Sequence, residues 1–162
     1  MPQIPQLVRK ARVLFLCTGN SSRSQMAEGW ARFLHGPWME AFSAGTHPTG
    51  VDPLAVRAMA EAGVDISGHV SKPLALSWFE DGPERLDLVI TVCDSAATAC
   101  PVPTPGVTTI HAPFDDPPAL GADCEDLRDR LAHYTRVRDE VRRFVAGLSE
   151  LLDRPGTPPE AG

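Results

Sequence analysis

The sequence predicts an α/β fold with one parallel sheet and helices on both of its faces. Apolar segments of strand length alternate with helical patterns along the chain, and such alternation is typical of parallel sheets. The 162 residues fit a single domain, and no internal repeat or shift in composition divides them. Gly-Pro or Pro-Gly pairs at 36–37, 82–83 and 105–106 predict turns between the elements.

The predicted elements follow one another in a regular order. Strands are expected at 12–17, 40–43, around 68–71, 86–92 and 107–111, and helices at 23–35, 52–63 and about 123–152. The last helix is supported by apolar residues at spacings of three and four, namely Leu127, Leu131, Tyr134, Val137, Val141, Phe144, Leu148 and Leu151. We therefore expect one domain over 12–153, between a frayed leader at 1–11 and a disordered tail at 154–162.

Composition and charge argue against several classes of protein. Hydrophobic residues make up 43% of the chain and charged residues 22%, which is ordinary for a soluble globular domain. The net charge of -6 argues against a nucleic-acid partner, because nucleic acids usually bind basic surfaces. No apolar run approaches the ~20 residues that span a bilayer, and residues 1–10 lack a signal-like apolar core. We therefore expect a cytoplasmic monomer with no membrane partner.

The most informative stretch joins the first predicted strand to the first predicted helix. The strand ends at Cys17, five residues separate it from Arg23, and the helix follows at once. Backbone N–H groups of such a turn and the positive end of the helix suit a tetrahedral anion. The guanidinium of Arg23 can hold two anion oxygens. The predicted oxyanion-binding residues of this 17–24 loop are Thr18, Gly19, Asn20, Ser21, Ser22, Arg23 and Ser24.

The same loop predicts a nucleophile at Cys17. A helix N-terminus and a guanidinium both stabilise the thiolate, which is the reactive form of a cysteine, and Ser24 is placed to donate a hydrogen bond to it. Gly19 and Asn20 tolerate the positive φ that a tight ring requires. The alternative is a buried structural cysteine before an ordinary strand-to-helix turn. The glycine, asparagine and hydroxyl residues between Cys17 and Arg23 favour the nucleophile.

A second pair of cysteines follows the predicted strand at 86–92. Cys93 lies at the carboxyl end of that strand, on the same rim of the sheet as Cys17, and six residues separate it from Cys100. A flexible loop of that length can bring two sulfurs together, which requires Cα atoms within ~7 Å. Cys93 and Cys100 would be poor zinc ligands, because zinc-binding pairs are usually separated by about two to four residues. In a reducing compartment we expect any disulfide to be transient, and two incidental buried cysteines are the alternative interpretation.

Four segments together resemble a known family. They are 17–28 (CTGNSSRSQMAE), 42–46 (FSAGT), 63–67 (GVDIS) and 114–117 (FDDP). In this order they resemble the low-molecular-weight protein tyrosine phosphatases, and among these the thioredoxin-coupled arsenate reductases. The similarity runs from about residue 12 to residue 150. The resemblance implies a three-layer fold in which a four-stranded parallel sheet is flanked by helices.

The resemblance also implies a reaction. Cys17 would attack arsenate to form a covalent arseno-cysteine, and Cys93 would then attack Cys17 and release arsenite. Cys100 would attack Cys93 and leave a Cys93–Cys100 disulfide for thioredoxin, or a similar small thiol reductant, to reduce. Asp116, the aspartate just before a proline, matches the family's general acid; from the residues alone, an aspartate in a turn is the alternative. Cys124 is outside this relay, and we expect it to be structural.

No tightly bound cofactor is expected, since the electrons come from the thiol reductant. The five histidines show no metal-ligand spacing. Related reductases hold a potassium ion that steadies the loop, and the matching oxygen-bearing residues here are Asn20, Glu28, Ser43 and Asp65. Potassium is therefore the one metal ion that the resemblance implies.

Two other functions are open from the sequence. A low-molecular-weight phosphatase acting on phosphotyrosine or small phosphoesters would need only Cys17, Arg23 and Asp116. A noncatalytic oxyanion or redox sensor would use the disulfide as a switch. The family's tyrosine phosphatases carry aromatic residues after the acid, whereas this chain has Pro118-Ala119-Leu120. A small inorganic substrate is therefore favoured.

Overall fold

The polypeptide alternates strands and helices, largely in the predicted order. The computed structural model describes residues 9–93 and 107–152, so the predicted leader and tail lie mostly or wholly outside it. The strands are β1 (Ala11–Cys17), β2 (Met39–Gly45), β3 (Leu88–Thr91) and β4 (Thr108–His111). The helices are α1 (Arg23–His35), α2 (Pro53–Glu61), α3 (Pro117–Leu120), α4 (Leu127–Ala146) and α5 (Leu148–Leu152), with a 3₁₀ helix at Leu76–Phe79.

The four strands form one parallel sheet in the order β2-β1-β3-β4, which confirms the predicted architecture. β1 lies inside the sheet and all of its residues are buried, which explains why every residue of the strand except Arg12 is apolar. Cys17 lies opposite Gly45 of β2, and Leu16 lies opposite Thr91 of β3. The carboxyl ends of these strands therefore meet at one edge of the sheet, where ligands bind in open α/β folds.

Two apolar clusters cover the two faces of the sheet. On one face, Val13 and Phe15 of β1 pack against α1, α2 and α4. On the other face, Leu14 and Leu16 pack against Trp78 of the 3₁₀ helix. The alternation follows from the two-residue period of a strand. The helices thus form one covering layer, and within the described residues the segment around the 3₁₀ helix forms the other.

The strand predicted around 68–71 is wrong. Val70 is exposed, and this part of the chain contains neither strand nor helix. Gly45 N of β2 donates to Lys72 O at 2.9 Å, but other backbone groups of the 68–72 segment bond to side chains of the 17–24 loop and α1. Val70 O accepts from Gln25 Nε2 at 3.2 Å, and Lys72 N donates to Asn20 Oδ1 at 2.9 Å. These side chains satisfy the backbone groups that a strand would pair with a neighbouring strand.

The long helix predicted from about 123 to 152 is shorter at its start and is interrupted near its end. Asp126 caps α4 by accepting a hydrogen bond from Arg128 N at 2.8 Å, so the helix begins at Leu127. Gly147 separates α4 from α5, since glycine is a common helix terminator. Tyr134, Val137 and Val141 of the predicted apolar stripe lie on the buried face of α4, whereas Leu127 and Leu151 are exposed. Among the described helices, none is long and apolar enough to cross a membrane.

Gly45, the last residue of β2, leaves no room for a side chain. A Cβ there would lie 2.5 Å from Thr18 O and 2.8 Å from Asn20 N, and these backbone atoms cannot move without displacing the loop. We expect Gly45→Ala to lower the free energy of unfolding by about 1–3 kcal/mol, the usual cost of overpacking, as measured by urea denaturation. Gly68→Ala is the control, because a Cβ at Gly68 would meet nothing within 4 Å. Equal stability of the two variants would contradict this interpretation.

Candidate active site

The 17–24 loop is held by a ladder of backbone hydrogen bonds to the segment after β2. Backbone N–H groups within residues 46–52 donate hydrogen bonds of 2.8–3.2 Å to the carbonyls of Cys17, Thr18, Gly19 and Ser21. Asn20 adopts a positive φ of 48°, and its N–H donates to Cys17 Sγ at 3.2 Å. The carbonyls therefore bond to the neighbouring segment while an N–H faces the sulfur, as in the backbone nests that bind anions.

The sulfur of Cys17 lies at the buried floor of this loop. Ser24 Oγ is 2.9 Å from Cys17 Sγ. Asn20 Nδ2 donates to the same serine oxygen at 2.8 Å, so the serine accepts from the amide and directs its own proton to the sulfur. The hydroxyl of Ser24 and the backbone N–H of Asn20 thus converge on Cys17. Both donors stabilise negative charge on the sulfur.

The side-chain amide of Asn20 is fixed by two donors behind the loop. Its Oδ1 accepts from Lys72 N and from Gln25 Nε2, both at 2.9 Å. Because a backbone N–H can only donate, Lys72 determines which end of the amide is oxygen and leaves Nδ2 for Ser24. Gln25 is oriented in turn by His69, whose Nδ1 lies 2.9 Å from Gln25 Oε1. Burial lowers the pKa of His69, so this imidazole is neutral near pH 7 and donates through Nδ1.

Arg23 joins the loop to the segment that carries the predicted acid. Its Nη1 donates to Phe114 O at 3.1 Å, and its Nη2 lies 3.4 Å from Asp116 Oδ1. The Arg23 side chain is 10% exposed and that of Asp116 is 33% exposed, so the aspartate borders both the loop and solvent. Asp115 instead forms a 2.9 Å ion pair with Arg136. The structure therefore brings Asp116, rather than its neighbour, beside Arg23.

Cys93 follows β3 and lies beside the loop. Its side chain is buried, and its Sγ is 3.7 Å from Thr18 Oγ1. Cys93 takes part in a disulfide, whereas Cys17 and Cys124 are free. Cys100 lies outside the described residues. Cys124 is half-buried in the segment before α4, on a different element from the two cysteines at the edge of the sheet.

Asp52 and Tyr134 support Ser22 in a way that the sequence does not predict. Ser22 Oγ donates to Asp52 Oδ2 at 3.1 Å, and the hydroxyl of Tyr134 donates to the same oxygen. Asp52 Oδ1 also accepts from Leu54 N at 2.9 Å and so caps α2. The Asp-Pro pair at 52–53 is a recognisable helix start. Tyr134 has no such signal, because its partner lies 82 positions away in the sequence.

The residues expected to hold potassium do not present a cation site. Glu28 and Ser43 meet behind the loop, but Ser43 Oγ donates to Glu28 Oε1 at 2.6 Å and Arg32 Nη2 lies 2.6 Å from Glu28 Oε2. Asn20 Oδ1 already accepts from two N–H groups. Asp65 is exposed and accepts from a nearby backbone N–H at 2.8 Å. Since hard cations bind where several oxygens converge, these four residues do not fit the ion that the resemblance implies.

Comparison with known proteins defines the family. Residues 12–156 match the family described as low molecular weight phosphotyrosine protein phosphatase, and the chain belongs to that family. It is 44% identical over 138 residues to an arsenate reductase of Bacillus subtilis, which covers 85% of this chain and 94% of that protein. It is 43% identical over 141 residues to an arsenate reductase of Bacillus licheniformis, with coverage of 87% and 96%.

A solved structure agrees with these sequence relatives. An arsenate reductase in the phosphate binding state superimposes with a TM-score of 0.65 and 31% sequence identity, covering 87% of this chain and 98% of that one. The predicted resemblance to the arsenate reductases of this family is thereby confirmed.

Tyr134, the only tyrosine of the chain, provides a pH test of the support under Ser22. Burial and the hydrogen bond to Asp52 raise the pKa of Tyr134. The resulting stability is present below the ordinary tyrosine pKa of about 10 and is lost above it, because the unfolded chain releases the phenolic proton first. We expect little phenolate absorbance from the native protein between about pH 10 and 11. Over this range the free energy of unfolding should fall less steeply in Tyr134→Phe than in the parent.

Ionisation of the native tyrosine at its ordinary pH would contradict this expectation. Because the chain has a single tyrosine, the ultraviolet titration reports this residue alone.

Proposed function

We propose that the protein is an arsenate reductase in which Cys17, Cys93 and Cys100 form a thiol relay that thioredoxin, or a similar small thiol reductant, resets. The observation that carries the proposal is the 3.7 Å distance from Cys93 Sγ to the hydroxyl of Thr18, in the loop that begins at Cys17. A phosphatase of this family needs one thiolate, whereas reduction of arsenate needs two electrons. Oxidation of the nucleophile and a second, neighbouring cysteine to one disulfide supplies them.

In the first step, arsenate occupies the 17–24 loop. The N–H groups of the ring and the guanidinium of Arg23 oppose its negative charge. The Cys17 thiolate attacks arsenic, so that an S–As bond forms while an As–O bond breaks. Asp116 gives its proton to the departing oxygen, which leaves as water. The adjacent oxyanion favours the protonated form of this carboxyl group.

The second step reduces arsenic. The Cys93 thiolate attacks Cys17 Sγ, an S–S bond forms, and the electron pair of the S–As bond passes to arsenic. Arsenic goes from As(V) to As(III) and leaves as arsenite, while two thiols become one disulfide. The register of β1 and β3 supports this step, because Leu16 lies opposite Thr91. Cys17 ends β1 and Cys93 follows β3 by two residues, so in this register the two cysteines are offset by only one residue.

The third step regenerates the nucleophile. The Cys100 thiolate attacks Cys93, and the thiolate of Cys17 is released. A thioredoxin-type dithiol then reduces the Cys93–Cys100 disulfide. The role of Cys100 is supported by its spacing from Cys93 and by the family resemblance. A cytoplasmic location suits this cycle, because the cytoplasm maintains thiol reductants. The net charge of -6 supports a protein with no nucleic-acid partner.

Phosphatase activity is the second candidate, because phosphate and arsenate are both tetrahedral oxyanions. The loop, Arg23 and Asp116 would serve a phosphoester equally well. After Asp116 the chain forms the short helix α3, whose sequence is Pro-Pro-Ala-Leu. This segment offers no aromatic ring to stack on phosphotyrosine, which favours a small substrate.

Replacing Cys93 separates reduction from hydrolysis. We expect Cys93→Ser to abolish arsenate turnover, followed as NADPH oxidation in the presence of thioredoxin and thioredoxin reductase. Weak hydrolysis of an aryl phosphate should persist, because Cys17, Arg23 and Asp116 are unchanged. The matched control is Cys124→Ser, which should reduce arsenate at the parent's rate.

Arsenate turnover at the parent's rate in Cys93→Ser would eliminate the relay. Aryl phosphate hydrolysis by the parent without any arsenate turnover would favour the phosphatase. Anion binding or a change of redox state without repeated turnover of either substrate would favour a sensor.

A further inference from the structure

Glu28 carries a negative charge that is buried directly behind the 17–24 loop. Its side chain is only 3% exposed, and a carboxylate is costly to bury unless it is paired. On one side, Arg32 Nη2 lies 2.6 Å from Oε2, but the Arg32 side chain is 56% exposed, so solvent screens much of this interaction. On the other side, Oε1 accepts from the neutral hydroxyl of Ser43 at 2.6 Å. The charge balance near Oε1 therefore depends on another group.

Lys72 places a cation on that side. Its Nζ lies 3.9 Å from Glu28 Oε1 and donates to Val70 O at 3.0 Å. The Lys72 side chain is 35% exposed. Burial lowers the pKa of Lys72, and the Glu28 carboxylate opposes that change. The Nε2 atom of His69 is 4.0 Å from Glu28 Oε2, but this imidazole is neutral near pH 7. The positive charge on this side of Glu28 therefore comes from Lys72.

The same lysine reaches the nucleophile through its backbone. Lys72 N donates to Asn20 Oδ1, Asn20 Nδ2 donates to Ser24 Oγ, and that oxygen contacts Cys17 Sγ. Three groups fix the residue: the ammonium near Glu28, the backbone N–H on Asn20 and the carbonyl, which accepts from Gly45 N at 2.9 Å. A change at the ammonium is therefore transmitted to the loop through a continuous chain of hydrogen bonds.

We propose that Lys72 is a positioning residue whose ammonium takes the place of a bound monovalent cation, so that oxyanion binding by this chain does not respond to potassium. Without the ammonium, the hydroxyl of Ser43 is the one group among residues 9–93 and 107–152 that still contacts Glu28 Oε1, and potassium then restores the charge balance. The arsenate readout of the proposal rests on the proposed function, whereas the binding of inorganic phosphate tests it independently.

The test compares Lys72→Met with Lys72→Arg and with Lys10→Met, which removes the same group from an exposed lysine. Each full-length protein is studied in potassium chloride and in choline chloride at equal ionic strength, with all other salts free of alkali metals. The first readout is the affinity for inorganic phosphate together with the thermal midpoint. The second is the pair of constants KM and kcat for arsenate.

The parent and Lys10→Met should bind phosphate equally well in both salts. In choline, Lys72→Met should bind phosphate about tenfold more weakly and show a similar rise in KM, with a smaller change in kcat. Potassium should recover most of this loss and raise the thermal midpoint of Lys72→Met alone. Lys72→Arg keeps the positive charge, so in choline it should lose less affinity than Lys72→Met.

A potassium response of the parent would overturn the proposal, and so would a Lys72→Met variant that matches Lys10→Met in both salts. If Lys72→Met does not fold, the double variant Glu28→Gln with Lys72→Met removes both charges and should show no potassium response. A response in the double variant would equally overturn the proposal. If the phosphate results hold but the parent reduces no arsenate, the proposed function fails while the role of Lys72 stands.

Discussion

The hydrogen bond from Lys72 N to Asn20 Oδ1 is the contact on which the rest of the site depends. It fixes the orientation of the amide, which sends Nδ2 to Ser24 and the serine proton to Cys17. A reversed amide would set two donors against each other at Lys72 and would offer Ser24 a carbonyl. The hydroxyl of Ser24 would then donate to that carbonyl and would no longer donate to Cys17 Sγ. One backbone N–H therefore decides the pattern of donors around the nucleophile.

The parallel sheet brings together parts of the site that no single motif contains. β1 ends at Cys17, the segment after β2 supplies the ladder that holds the loop, and Cys93 follows β3. The acid segment is held to the same edge, because Phe114 N donates to Val92 O at 3.3 Å. Arg23 then links Asp116 to the loop. In this arrangement the 17–24 loop and Asp116 suit any tetrahedral oxyanion. Cys93 is the residue that distinguishes the proposed reductase from a phosphatase.

Local patterns predicted the parts of the fold that depend on local sequence. The buried strand before the loop, the positive φ of Asn20 and the apolar stripe of α4 each follow from residue types at fixed spacings. The conformation of the 68–72 segment could not be predicted, because the side chains of Gln25 and Asn20 bind the backbone of Val70 and Lys72 across the fold. The contacts of Lys72 with Asn20 and Glu28 could not be predicted either, because they also join residues that are distant in the sequence. Asp65 matched a motif, yet it is exposed and accepts from Ser67 N, since a sequence match does not report which oxygens converge.

In the proposed relay, Cys17 and Cys93 together supply the two electrons that reduce arsenic. Fully reduced Cys100→Ser, exposed to excess arsenate in the absence of any thiol reductant, isolates this step, because the relay then stops after its second step. We expect one arsenite for each protein chain and a Cys17–Cys93 disulfide in the peptide mass map. No arsenite, or arsenite with both thiols still open to alkylation, would contradict the relay.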